Sequence, residues 1–224
     1  MQITNKNQES EIEYTHELFR KGIHLTSLSI PIVYVFVTRS TLTTLLIIVT
    51  IIEILLDFLS RRNKKFAQIY FGMFRKIMRS HELEKKLWLN GASWVLISAT
   101  MCVVIFPKIV AITAFTILII SDTLAALVGR KYGRHNFFDK SFEGSLAFFI
   151  SAVLVIIVYG LFFRTTWTFF LVGIVACFIG AFAEAASKQL KMDDNFSIPL
   201  SIGITLWVGG MLAEKMGQSF LNII

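Results

Sequence analysis

Ile109-Val-Ala-Ile-Thr-Ala-Phe-Thr-Ile-Leu-Ile-Ile-Ser-Asp-Thr-Leu-Ala-Ala-Leu-Val128 is an apolar run whose one charged side chain is Asp122. A helix of about 20 such residues is long enough to cross the hydrocarbon core of a bilayer. Outward from this run, charged stretches separate six more apolar runs, and the seven predicted spans are 22–38, 41–59, 89–106, 109–128, 144–163, 167–187 and 198–213. The sequence therefore predicts an all-α, polytopic integral membrane protein with about seven transmembrane helices.

Composition supports this class. The chain has 224 residues, of which 55% are hydrophobic, and its mean hydropathy is +0.67. A soluble domain of this length could not bury that much apolar surface. Residues 1–21 form a polar N-terminus without a signal-peptide apolar region, so we expect the first span to direct insertion. Residues 22–224 are predicted to form a single membrane domain. Cys102 and Cys177 lie in apolar runs and are interpreted as small buried hydrophobes.

Positive charge is distributed unequally between the loops. With seven spans, 18 of the 22 lysines and arginines fall at the N-terminus or in the loops after spans two, four and six. The four on the other side are Arg39, Lys108, Arg164 and Lys215. The positive-inside rule then predicts a cytoplasmic N-terminus and a cytoplasmic position for the even-numbered loops.

Four carboxylates lie inside spans, all in the predicted cytoplasmic halves: Glu53, Asp57, Asp122 and Glu184. Ionisable groups at membrane depth are costly and usually face a wet cavity with a partner, so the four suggest a shared site. The alternative is structural pairing, for instance of Asp57 with Arg61 one turn later. Small residues accompany Asp122 in span four and Glu184 in span six, which favours close helix packing. Such packing would bring Asp122 and Glu184 together, and two carboxylates suit a Mg²⁺ ion that bridges phosphates.

The loop after span four concentrates further candidates. Gly129, Gly133 and Gly144 lack a Cβ, which lets backbone N–H groups approach an anion. Cationic side chains that suit phosphates are Arg130, Lys131, Arg134 and Lys140. Ser141 is predicted to cap the following helix, with Glu143 in its first turn. The alternative interpretation is a positive-inside loop followed by a capped helix.

The segment 60–86 is predicted to contain a basic amphipathic helix in the cytoplasmic interface. Its apolar face consists of Phe66, Ile69, Tyr70, Met73, Phe74, Ile77 and Met78. The helix would attract anionic lipid or gate lipid entry from the leaflet, and the alternative is a helix that packs over the bundle. This surface and nucleotide binding account for the net charge of +7, so no nucleic-acid partner is expected.

Four groups of residues occur in order along the chain: Arg20-Lys21…His24, then Arg79…Glu82…Asn90-Gly91-Ala92-Ser93-Trp94, then Asp122…Gly129-Arg130…Gly133…Lys140-Ser141-Phe142-Glu143-Gly144-Ser145, and last Glu184…Asp194-Asn195…Ile198-Pro199-Leu200. This ordered set resembles the CTP-dependent lipid-alcohol kinases, which include dolichol kinase, phytol kinase and yeast-type diacylglycerol kinase. The resemblance covers most of residues 16–200, and the ordered set is far more specific than any one piece.

The resemblance implies transfer of the γ-phosphate of CTP, with Mg²⁺, to the hydroxyl of a lipid alcohol. Catalytic residues would be Asp122, Lys140 and Glu143, with Asp122 and Glu184 as metal ligands. Nucleotide binding is expected from Gly129, Arg130, Lys131, Gly133, Ser141, Gly144, Asp194 and Asn195. Contact with lipid or phosphate is expected from Arg20, Lys21, His24 and Glu82.

Two other functions compete with a kinase. The phosphatidate cytidylyltransferases are related and share the core around Asp122 and Lys140, but residues 187–195 lack their C-terminal signature. A transporter would place charged groups near the midplane and often contain inverted repeats. Here the charged groups lie toward one face, and no repeat is evident. Polyprenol, a phytol-like alcohol and diacylglycerol all remain possible acceptors, and the oligomeric state is open.

Overall fold

The computed structural model describes residues 17–62 and 89–224. Most of the predicted amphipathic segment 60–86 and Glu82 lie outside these residues. In chain order the described helices are α1 (17–26), α2 (Ser29–Phe36), α3 (Arg39–Arg62), α4 (Gly91–Ile105), α5 (Lys108–Tyr132), α6 (Phe142–Phe162), α7 (Trp167–Ala185) and α8 (Asp194–Lys215). Between α5 and α6 lies a short antiparallel hairpin of β1 (Asn136–Phe137) and β2 (Lys140–Ser141).

The predicted class, an all-helical multi-pass membrane protein, is confirmed. Five of the described helices, α3 and α5 to α8, are long and apolar enough to cross a membrane, and α4 is a shorter apolar helix of 15 residues. The first predicted span, 22–38, is divided into α1 and α2 by a turn at residues 27–28. Pro31 accounts for the turn, because proline has no N–H and its ring clashes with the carbonyl four residues earlier, here that of Ser27.

Together α1 and α2 run antiparallel to α5 along its whole length. At one end, the Glu17 carboxylate pairs with Arg130 near the end of α5. At the other end, Lys108 at the start of α5 donates from Nζ to the carbonyls of Val35 and Val37, at 3.1 and 3.3 Å. The helices α1 and α2 together therefore cross the bundle once, as a single helix would.

The central helix of the bundle is α5, which packs against α2, α4, α6 and α8. Every residue from Ile109 to Ile119 is buried. By contrast, α3 lies at the periphery and exposes large aliphatic residues such as Ile48, Ile51 and Leu55, as expected for a helix that faces lipid. Asp122 is therefore held by the most enclosed helix of the protein.

Two helices that contribute to the charged end of the bundle begin with a side-chain cap. The Ser141 hydroxyl accepts a hydrogen bond from the Gly144 N–H at the start of α6, and the Asp193 carboxylate accepts one from the Asn195 N–H at the start of α8. Such caps satisfy N–H groups that a helix leaves without partners. They fix where α6 and α8 begin, beside the end of α5.

Close helix packing depends on glycine at Gly203. A Cβ at this position of α8 would overlap the ring of Phe106, which is fully buried and packs edge-on against Trp207. We expect Gly203→Ala to lower the free energy of unfolding by about 1–3 kcal/mol through overpacking. Gly22→Ala is the matched control, because a Cβ there meets nothing within 4 Å. Thermal unfolding in detergent measures both variants, and equal midpoints would contradict the prediction.

Candidate functional site

Lys21 and Asp122 form a buried ion pair between α1 and α5. The Lys21 ammonium donates to Asp122 Oδ2, and the side chains are only 4% and 6% exposed. His24 Nε2 lies 3.8 Å from the same oxygen, and this nitrogen has no hydrogen-bond partner among the described residues. A buried carboxylate needs a cation or hydrogen bonds to offset the loss of hydration. Lys21 therefore supplies the cation that the buried Asp122 carboxylate needs.

Lys140 connects the hairpin to α7 and α8. Its ammonium donates to Glu184 Oε1 at 2.6 Å and to Asp194 Oδ2 at 3.3 Å. Burial disfavours the charged ammonium, but the carboxylates of Asp194, Glu184 and Asp122 outweigh this effect and raise the pKa of Lys140. The Ser145 hydroxyl also lies 3.5 Å from Glu184 Oε2. Lys140 is thus a permanent cation among three carboxylates.

Glu17 extends the cluster to Arg20 and Arg130. This carboxylate is 5% exposed, accepts a hydrogen bond from Arg20, and pairs with Arg130 Nη2 at 3.2 Å. Glu17 was not among the predicted site residues, because it lies in the polar N-terminus rather than in a span. One signal was available, since Glu17 precedes Arg20 and Lys21 by three and four residues and therefore shares a helix face with them.

These contacts form one charged cluster at one end of the bundle, which consists of Glu17, Arg20, Lys21, His24, Asp122, Arg130, Lys140, Glu184 and Asp194. Asp122 and Glu184 both belong to it. Lys140 contacts Glu184 directly and is attracted by Asp122, so this lysine links the two carboxylates. Five separate segments, α1, α5, β2, α7 and α8, meet here to place cations and anions within a largely apolar protein.

The carboxylates of the charged cluster are compatible with Mg²⁺ held together with a nucleotide. Among the described residues, no group of three or more His, Cys, Asp or Glu side chains could hold a metal by itself. Mg²⁺ is commonly bound by one or two carboxylates plus substrate phosphates and water, so a complete protein cage is not required. Glu184 and Asp194 both contact the Lys140 ammonium, so these two carboxylates are close enough to bind one Mg²⁺ ion together. The assignment of Asp122 and Glu184 as ligands stays a prediction.

Glu143 lies apart from the contacts that define the charged cluster. Its Oε1 lies 2.7 Å from His135 Nδ1, and its Oε2 accepts from the backbone N–H groups of Arg134 and His135 at 3.1 and 3.4 Å. These bonds fasten the chain that enters the hairpin to the first turn of α6. The geometry accounts for Glu143 as a loop clamp, and its predicted catalytic role stays a prediction.

Chain segments approach closely at three glycines: Gly129 in the last turn of α5, Gly133 just after that helix, and Gly144 in the first turn of α6. A Cβ on Gly129 would lie 2.9 Å from Ser141 Oγ, and one on Gly144 would lie 2.9 Å from the Ala125 carbonyl oxygen. A Cβ on Gly133 would lie 2.8 Å from Ser141 Oγ. Packing of α5, the hairpin and α6 therefore explains the missing side chains. Whether these backbones also bind nucleotide stays a prediction.

Three other predicted nucleotide-binding residues lie beside the cluster. The exposed Lys131 has its ammonium 5.4 Å from the ring centroid of Tyr132. Ser141 serves as the cap of α6. Asn195 donates to Asp193 and Asp194 at the start of α8, and so braces the carboxylate that contacts Lys140.

The two carboxylates of α3 are engaged in structural pairing. Asp57, which is 1% exposed, accepts from Arg61 at 3.1 and 3.2 Å and from the Asn90 N–H at 3.0 Å. Glu53 accepts from Asn90 Nδ2 at 3.2 Å. These bonds hold the end of α3 against the cap of α4. The structural alternative for this pair is therefore the one that the geometry supports.

Ionisable side chains gathered inside a multi-pass helical bundle are costly and mark a functional site. Among proteins similar to this chain, CTP-dependent diacylglycerol kinase 1 of Schizosaccharomyces pombe is 32% identical over 64% of this chain and 69% of its own length. Phytol kinase of Synechocystis is 34% identical over 41% of this chain and 40% of its own length. An uncharacterized protein of Rickettsia prowazekii is 37% identical over 84% of this chain and 92% of its own length.

The chain belongs to the CTP-dependent lipid kinase family. It is a lipid kinase and a multi-pass integral membrane protein. No protein-family model matches the chain, and no solved structure matches it.

Proposed function

We propose that this lipid kinase transfers the γ-phosphate of CTP to the hydroxyl of a membrane lipid alcohol, with Mg²⁺, at the cytoplasmic face. The observation that carries the proposal is the charged cluster, in which Lys140 joins Glu184 and Asp194 while Lys21 holds Asp122. A triphosphate needs cations and a metal, and a lipid hydroxyl needs a proton acceptor. The cluster supplies side chains for each of these tasks.

Phosphoryl transfer is achieved mainly by positioning and by neutralising charge. In the proposed reaction, the lipid oxygen forms a bond to the γ-phosphorus, the bond from that phosphorus to the bridging β–γ oxygen breaks, and CDP leaves. The hydroxyl proton passes to the Asp122 carboxylate, which contacts the Lys21 ammonium. Lys140, Arg20 and Arg130 would hold phosphate oxygens. Mg²⁺, held by Glu184 and Asp194, would neutralise charge on the phosphates.

The two sides of the cluster suit the two substrates. The hairpin side, with Arg130 and Lys140 only partly buried at 44% and 26% side-chain exposure, is open to a nucleotide from the aqueous phase. Asp122 lies deeper, at 6%, next to the apolar length of α5, which suits a hydroxyl carried on a hydrocarbon body. The excess of positive charge in the same loops supports a cytoplasmic site, where the nucleotide is found.

The test uses purified protein in detergent with Mg²⁺ and γ-labelled CTP or ATP. Diacylglycerol, phytol, farnesol and a long polyprenol are offered in parallel. We expect label in one lipid class, with CTP as the better donor, and no label with an Asp122→Asn variant. Label from ATP alone would contradict the choice of donor. Pyrophosphate released from CTP in the presence of phosphatidate, without label in any alcohol, would replace the kinase reaction by cytidylyl transfer.

A further inference from the structure

In the turn of the β1–β2 hairpin, Phe138 has a backbone conformation that is unfavourable for a bulky side chain. Phe138 and Asp139 connect the paired residues Phe137 and Lys140, and Phe138 has a φ of 53°. Positive φ is uncommon for residues other than glycine, and for a bulky residue it is an outlier that the surroundings must maintain. Two residues after Phe138, the strand β2 begins and places Lys140 in the charged cluster.

Aromatic contacts hold this turn in place. The Phe138 ring meets the Phe182 ring of α7 edge-on, with centroids 5.1 Å apart, and also meets Phe137 at 4.9 Å. Edge-to-face pairs at such distances are favourable. Phe138 and Phe182 are 44% and 49% exposed, so their contact lies on the outer surface of the bundle. The Phe138 ring packs on α7 even though burial does not force it to.

The hairpin therefore contacts the last turn of α7 on two sides. On the outer side Phe138 packs on Phe182, and on the inner side Lys140 donates to Glu184, two residues later in each segment. The strand cannot slide or lift along α7 without breaking both contacts. The contact of Phe138 with Phe182 therefore helps to fix the position of Lys140 beside Glu184.

We propose that Phe138 is a positioning residue, whose contact with Phe182 maintains the strained turn and thereby sets the position of the Lys140 ammonium among the carboxylates. Its effect on catalysis rests on the proposed function, in which Lys140 holds phosphate. Its effect on Lys140 does not, because the environment of an amine is measurable without substrate.

The experiment compares Phe138→Ala with Phe138→Tyr, which keeps the ring, and with Phe182→Ala, which removes the same contact from an unstrained helix. Phe162→Ala is the control, because Phe162 is an exposed ring that also pairs with a neighbouring ring, at 4.9 Å, in the last turn of α6. Acetylation of Lys140, measured by mass spectrometry against the exposed Lys188, reports the environment of the amine. Turnover per folded molecule and KM for CTP report catalysis.

We expect Lys140 to be acetylated several-fold faster in Phe138→Ala and Phe182→Ala than in the wild type. Turnover in both should fall by about 10- to 100-fold, because misplacement of a positioned group by about 1 Å has effects of this size. Phe138→Tyr and Phe162→Ala should behave like the wild type. Wild-type acetylation and turnover in the two ring-removal variants would overturn the proposal, as would an equal response of Phe162→Ala.

If Phe138→Ala fails to fold, Phe182→Ala decides by the same two measurements. A lower melting temperature with unchanged acetylation of Lys140 would show that the aromatic contact serves stability alone. If the wild type transfers no phosphate to any lipid, the kinase reaction fails while the acetylation rates still decide whether Phe138 positions Lys140.

Discussion

Asp122→Asn is expected to reduce phosphate transfer to lipid by about 10²- to 10⁴-fold, the range that a general base contributes. The substitution keeps the size of the side chain and removes its charge and proton affinity. It also leaves Lys21 without the anion that it contacts inside the bundle, so a loss of stability is expected as well. Activity must therefore be expressed per folded molecule, with folding measured by thermal unfolding in the same detergent.

Asp57→Asn is the matched control for this experiment. Asp57 is also a buried membrane carboxylate paired with a cation, but its partners are Arg61 and Asn90, which hold α3 to α4. We expect the control to lose stability and to keep its turnover. If both variants lost turnover equally, the effect would come from a missing membrane charge rather than from chemistry at Asp122. Full turnover in Asp122→Asn would exclude it as the proton acceptor.

Local sequence pattern was sufficient to predict most of the helices, including α5, which carries Asp122. The apolar run 109–128 falls entirely within α5, and the Ser141 cap was predicted from its position before the next run. The break in the first span was readable too, because Pro31 removes a helical hydrogen bond and clashes with the carbonyl of Ser27. The span was predicted from hydropathy, which does not register backbone hydrogen bonds, so the break was not predicted.

The partners within the site could not be read from local pattern. Lys21 and Asp122 are 101 residues apart in the chain, and Lys140 and Glu184 are 44 apart. Periodicity assigns a residue to a helix face but does not identify the opposing face. Only the resemblance to a kinase family placed Arg20, Lys21 and His24 in the same site as Asp122. Glu17 escaped both approaches because no predicted motif or span included it.

The glycines illustrate a different limit. Sequence alone suggested that Gly129, Gly133 and Gly144 leave room for an anion, since a missing Cβ opens the backbone. In the structure Ser141 and the crossing of α5 with α6 occupy the space beside these glycines, and nucleotide binding by their backbones stays a prediction. A glycine needed for a ligand and a glycine needed for a helix crossing look the same in one sequence. Only the neighbours distinguish them.

Lys140→Met is expected to lower turnover by about 10²- to 10³-fold, the effect of removing one donor that stabilises developing charge. It also leaves Glu184 and Asp194 facing each other without the cation that both contact. Glu184 is only 3% exposed, so water cannot replace the interaction that its carboxylate loses with the ammonium. Stability should fall along with activity. Lys188→Met, an exposed lysine just after α7, is the control for a lost surface charge and should change neither property.

A second substitution separates the two roles of Lys140. In Lys140→Met/Glu184→Gln one of the two facing carboxylates is neutral, so the double variant should unfold at a higher temperature than Lys140→Met alone. Its turnover should not rise above that of the single variant, because the cation for phosphate is still missing and Glu184, a proposed Mg²⁺ ligand, has lost its charge. Recovery of turnover together with stability would mean that Lys140 serves only to neutralise Glu184 and Asp194. If Lys140 both neutralises these carboxylates and holds phosphate, the double variant should recover stability without turnover.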